Sequence, residues 1–181
     1  VSGDNQVAFD SSANKFVVAY YDGSNSYHGT AVVGTVSGTN ISFGTPVVFD
    51  TSYIDQITIS FNSSVNKMLI AYRDGSTSRA IAGTVSGTNI SFGTPSPFAN
   101  NCVSMSQAYD SNSSRSVIAY RDITNSNYGR AVTAAINAST SAVTFGTPVV
   151  FESAITQHTS AAKVSSIAVR SNLFIVTLST I

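Results

Sequence analysis

The chain lacks more than its length suggests. It has no tryptophan, one cysteine, two methionines, two histidines and four prolines among 181 residues. A lone Cys102 excludes an intrachain disulfide. One glutamate and three leucines leave little helix-forming material, and no segment holds a 3.6-residue apolar period. Charged residues are only 10%, with nine basic against nine acidic, so the electrostatic footprint for nucleic acid or an anionic membrane is missing. No apolar run approaches a membrane span, so no membrane insertion is expected. His28 and His158 form no zinc-ligand cluster, and no glycine loop matches a phosphate cradle. The sequence starts at Val1 rather than a methionine and reads as a processed form or a piece of something longer.

What is present is 43% hydrophobic residues, enough for a packed core, and a surplus of Ser, Thr, Asn and Gly. That surface is polar without being charged, as on many extracellular and virion proteins. Five Asn-x-Ser/Thr sequons, at Asn40, Asn62, Asn89, Asn112 and Asn137, matter only in a eukaryotic secretory pathway.

The strongest signal is repetition. "GTVSGTNISFGTP" runs from Gly34 to Pro46 and again, letter for letter, from Gly83 to Pro95. "FGTP" starts at Phe43, Phe92 and Phe145, and "AYYD/AYRD" at Ala19, Ala71 and Ala119, a period of 48 to 53 residues. The chain therefore reads as a single repeat domain, 1–181, with repeats at about 4–53, 54–102 and 103–155 and a partial fourth at about 156–181. In the fourth, "SIAVRSNLFIVTL" follows the pattern of "QVAFDSSANKFVVAY".

Each repeat reads as four strands. Strand a is "QVAFD", "TISFN" or "SQAYD", followed by a turn opened by Asp or Asn, with Asn14 and Asn66 at left-handed positions. Strand b, "KFVVAYYD", "KMLIAYRD" or "RSVIAYRD", is continuously apolar and expected to be buried on both faces. Tyr20, Tyr72 and Tyr120 within it read as core residues with tethered hydroxyls. In strand c, Gly34, Gly83 and Ala134 point to a close approach by another backbone. "ISFGTPVVF" reads as strand d, an edge strand, because Gly and Pro are tolerated there. The expected fold is all-β, a β-propeller-like repeat of four-stranded antiparallel blades, about 3.5 repeats in the chain. A β-solenoid or fibre repeat is the rival architecture.

The string "SGTNISFGTP" resembles the Asp-box hairpin of sialidase-type propellers, with Phe43, Phe92 and Phe145 in the aromatic place; the Asp of that motif is missing in all copies. The whole repeat is similar to the roughly 50-residue repeats of tail-fibre-like and surface proteins of marine bacteriophages and bacteria. This resemblance implies a virion or cell-surface location and an attachment role, and brings no active site with it.

In such a fold the b–c and d–a loops share one face. Candidate ligand-binding residues there are Tyr21, Asp22, Tyr27 and His28 in the first repeat, Arg73, Asp74 and Arg79 in the second, and Arg121, Asp122 and Tyr128 in the third. These types hydrogen-bond and stack on sugars. The competing reading is structural: an Asp recurring once per repeat caps its loop, and each Arg pairs locally. Catalytic supply is poor. Glu152 is the sole glutamate, and a glycosidase needs two differentiated carboxylates. A sialidase-like hydrolase would have to use Arg73, Arg121 and Tyr21. "DGSNS" at Asp22 and "DITNSN" at Asp122 each offer one carboxylate, where calcium loops use several. The expected function is thus non-enzymatic attachment to a surface glycan or receptor, without a cofactor. The alternatives are the hydrolase and a purely structural appendage subunit. Three and a half blades do not close a ring, so a homo-oligomer is expected, most simply a dimer of about seven blades, with the C-terminal strand at the interface; the competing expectation is that the rest of a longer chain supplies the missing blades.

Overall fold

The computed structural model describes residues 5–163 and 173–178. Among the described residues the chain is all-β, with no helix. The first sheet holds β1 (Gln6–Asp10), β2 (Lys15–Asp22), β3 (His28–Ser37), β4 (Asn40–Phe43) and β5 (Val47–Asp50). The second holds β6 (Ile54–Asn62), β7 (Lys67–Asp74), β8 (Thr77–Ser86), β9 (Asn89–Phe92) and β10 (Ser96–Asn100). The third holds β11 (Cys102–Asp110), β12 (Arg115–Asp122), β13 (Tyr128–Ile136), β14 (Val143–Phe145) and β15 (Val149–Glu152). A hairpin of β16 (His158–Lys163) and β17 (Leu173–Leu178) follows. All pairings are antiparallel. The segment expected as strand a of the fourth repeat, "SIAVR", lies outside the described residues; β16 pairs with β17 instead.

Each sheet has four strand positions but five strands, because the expected strand d is broken. In the first sheet β4 pairs with the far half of β3, Phe43 opposite Gly34, and β5 with its near half, Val47 opposite Ala31. Gly44, Thr45 and Pro46 interrupt the ladder between them. Pro46 has no N–H to give it. The same break separates β9 from β10 and β14 from β15. β6 and β11 run longer than the sequence pattern shows. Each carries a bulge, with Gln56 (φ 53°) and Ser104 (φ 51°) in the left-handed region.

The turns form for the reasons the sequence supplies. Asp10 Oδ1 accepts the N–H groups of Ser12 and Ala13, both at 2.9 Å. Asn62 and Asp110 accept those of Ser64 and Asn112. Asn14 and Asn66 are left-handed, and Ser114 takes that role in the third repeat. The sequence led to the expectation that the small residues of strand c admit another backbone; at Gly34 and Gly83 they do not. They make room for a ring: a Cβ on Gly34 or Gly83 would meet the cross-strand Phe43 or Phe92 side chain at 3.1 or 2.9 Å.

The sheets stack face to face, and the second sheet is the middle layer. Along β7, Met68, Ile70 and Tyr72 enter a core with Val17, Ala19, Val33 and Phe49 of the first sheet. The alternate residues Leu69 and Ala71 enter a second core with Ile118, Tyr120 and Val132 of the third. Each of the Val, Leu, Ile, Met and Phe side chains withdrawn from water contributes about 1.5–3 kcal/mol. Both junctions repeat one aromatic contact. Phe49 lies 5.2 Å from Tyr72 and 5.5 Å from Phe92; Phe98 lies 5.8 Å from Tyr120 and 5.3 Å from Phe145. The Phe of each "FGTP" copy in the second and third sheets is therefore a socket for the preceding sheet.

The glycine after it serves the next sheet. A Cβ on Gly44 would fall 1.9 Å from the Thr88 carbonyl oxygen, in the "SGTN" turn of the second repeat. Gly93 meets Ser141 in the same way. The glycine of each copy of the string thus lies against the turn of the following sheet.

Among the three full repeats the strand-b expectation holds fully only for β7, whose first six residues are all buried. In β2, Phe16, Val18 and Tyr20 face away from the second sheet and are only partly covered. With Val36, Ile41 and Phe43, Phe16 and Val18 line an apolar groove of about 270 Å³ on the open face of the first sheet.

Candidate functional site

The loops between the second and third strands of each sheet come together at one end with the connections that lead into the next sheet. Backbone bonds tie them: Ile54 N–H to the Tyr27 carbonyl at 3.2 Å, Asn101 N–H to that of Ser76 at 2.8 Å, and Thr156 N–H to that of Asn127 at 3.0 Å. All ten sequence-predicted ligand residues lie at this end, within or next to these loops.

Their carboxylates are engaged locally. Asp22 Oδ1 accepts from the Ser24 N–H at 3.0 Å and its hydroxyl at 2.6 Å. The hydroxyl hydrogen bond from Ser24 holds the Asp22 carboxyl below the usual carboxylate range. Asp122 accepts from Thr124 N–H and Oγ1–H and from Asn125 Nδ2–H, and Arg130 Nε lies 3.3 Å away as an ion pair. Burial by itself would raise the Asp122 carboxyl; these hydrogen bonds and the Arg130 charge outweigh it and hold the group low. Arg79 Nε donates to Asp74 at 3.0 Å, and Arg73 forms a bidentate pair with Asp55 at 2.7 and 2.5 Å. Glu152 accepts the Ala154 N–H, and Asp50 accepts the Ser52 N–H and the Tyr72 hydroxyl at 2.7 Å. Cys102 is fully buried, and burial pushes its thiol up to about 12, so it is a poor nucleophile. Among the described residues no group of three His, Cys, Asp or Glu is placed to hold a metal ion.

The first loop differs from the others in its aromatics. Tyr21 and Tyr27 stand 5.8 Å apart and Tyr27 and Tyr53 5.1 Å apart, each pair inclined by 48°. Tyr27 is 43% exposed and Tyr53 54%. The equivalent positions in the third repeat carry Arg121, Asn127 and Ile155. The shortened second loop has no counterpart of Tyr27.

Tyr27 also sits at φ 61°, where Asn127 has φ 60°. Asn accepts the left-handed region readily, whereas a bulky tyrosine there is an outlier. The bonds of Tyr27 N–H and Asn25 N–H to the Asp22 carbonyl hold the loop in this shape. Sequence reasoning found Tyr21 and Tyr27 but missed Tyr53, which the connection into β6 brings over. His28 and Tyr128 occupy equivalent places at the starts of β3 and β13. Arg121 Nε has no hydrogen-bond partner among the described residues.

Comparison with protein-family models, with curated proteins and with solved structures finds no match for this chain.

Proposed function

We propose that the chain is a non-enzymatic attachment module of a virion or cell surface, and that it holds a surface glycan against the tyrosine ladder of its first loop. The observation that carries this reading is the left-handed, exposed Tyr27 between Tyr21 and Tyr53. Tyrosine rings offer an apolar face for a sugar ring and a hydroxyl for its polar edge. Backbone strain at an exposed aromatic is a cost without a folding return in this loop, since Asn127 makes the same turn without it. The polar, uncharged surface and the repeat resemblance support the location. The carboxylates at the loop end, each committed to a cap or an ion pair, support the non-enzymatic reading.

In the same reading the sheets are blades of a propeller-like array, with β1, β6, β11 and β16 side by side as inner strands. A second copy completes the array. The open face of the first sheet carries the socket residues that the second and third sheets bury, and among the described residues β17 pairs with β16 alone. An apolar face of this kind marks an interaction surface.

A glycan array probed with wild-type chain, Tyr27→Asn and Tyr53→Ile tests the proposal. The expected result is binding to a defined set of glycans, weakened at least tenfold by either substitution. Release of free sugar from a bound polysaccharide would replace attachment with hydrolysis. Silence on the array together with ordered polymers under the microscope would make the chain a structural subunit.

A further inference from the structure

At the other end of the sheets, the inner strands converge on a cavity of about 340 Å³, lined from all three sheets and by Ala161 of β16. Three equivalent positions of the repeat, the aromatic residues Phe9, Phe61 and Tyr109, line it together with Ser60 and Ser63; the buried Ser60 hydroxyl lies 3.4 Å from that of Ser116. Among the described residues no charged side chain lines it.

One residue breaks the repeat here. Where the first two repeats carry Val7 and Ile59, the third carries Gln107, which is only 7% exposed. Its Nε2 donates to the Leu69 carbonyl at 2.7 Å, which fixes the orientation of the amide. Its Oε1 then has no hydrogen-bond partner among the described residues. An unsatisfied buried carbonyl lowers stability, and an isoleucine would avoid that loss. The apolar position of the first two repeats thus becomes an amide at the wall of a cavity.

We propose that this cavity binds one neutral sugar residue, a ligand hydroxyl donating to Gln107 Oε1. Aromatic rings take the C–H face of a pyranose, and a serine hydroxyl such as that of Ser63 can donate to or accept from its edge. The uncharged lining selects against acidic and amino sugars. The volume stands at the lower end of small-molecule sites, about 300–1,000 Å³, and fits a single ring rather than a chain. This site is separate from the tyrosine ladder and does not rest on it.

The test titrates the intact chain with methyl glucoside, methyl galactoside and methyl mannoside, followed by ligand-observed NMR, and records melting temperatures alongside. The expected result is binding of at least one glycoside, retained by Tyr27→Asn. Gln107→Ile should bind at least tenfold more weakly while melting at a higher temperature. Ser11→Trp, at the exposed turn on the cavity rim, should block binding without altering the fold. Three results would overturn the proposal: none of the three glycosides binds wild-type chain; Gln107→Ile binds as wild type; or Gln107→Ile melts lower, which would make the glutamine a tether to Leu69.

Discussion

The first and second sheets are built from nearly the same sequence, yet they differ in what covers them. Ile41 and Ile90 occupy the same place in an identical string; Ile41 is 60% exposed and Ile90 4%. Phe43 stands on an open face, whereas Phe92 receives Phe49. The difference is set by the neighbour and not by the residues themselves. One twisted sheet cannot cover its own two faces, and the repeat supplies each sheet with a partner of its own kind.

Substitution at the phenylalanines gives the largest contrast. Phe49→Ala removes a buried ring from between Tyr72 and Phe92 and is expected to cost about 3–5 kcal/mol. Phe43→Ala, the same chemistry on the open face, should cost under about 1 kcal/mol to the folding of a dilute single chain. Urea unfolding of both variants measures the gap, and equal losses would break the comparison.

Next comes Gly44→Ala. The added methyl meets backbone at the Thr88 carbonyl, which cannot swing aside as a side chain can, so the outer edges of the first two sheets must part. A loss of about 1–3 kcal/mol is expected by thermal unfolding.

Acid should act more mildly, and through the third sheet. The folded Asp122 carboxyl is held below its unfolded value, so its contribution is complete above the ordinary Asp range near pH 4 and is lost as pH falls below that range and through the lower folded value. Asp122→Asn should be less stable than wild type at neutral pH, with the difference shrinking as the pH drops toward 3. A difference constant with pH would contradict the assignment.

The smallest effect is kinetic. At pH 8 the thiol of Cys102, with its pKa near 12 and no exposure, should stay unmodified by a disulfide reagent in native chain and react at once in denaturant.

Much of this fold was legible because a repeat reports its own constraints. Asp10, Asn62 and Asp110 open turns because the carboxyl or amide side chain satisfies backbone N–H groups two and three residues on, and that is a local matter. The break at Gly44–Pro46 was legible as a strand-edge signal but not as two strands, since whether pairing resumes at Val47 depends on the length of β3. The role of Gly34 and Gly83 was misread because the occupant of the space, a phenylalanine across the ladder, is set by register. At the loop end, residue types identified Tyr21 and Tyr27, whereas Tyr53 arrives from another connection and Gln107 stands out only when the repeats are laid over one another.

The mass of the chain in solution at micromolar concentration, by light scattering, bears most directly on the claim that the first sheet's open face awaits a neighbour. Wild-type chain should have the mass of two or more copies, and Phe43→Asp that of one. Wild-type chain that stays soluble at the mass of a single copy across the concentration range would contradict the account.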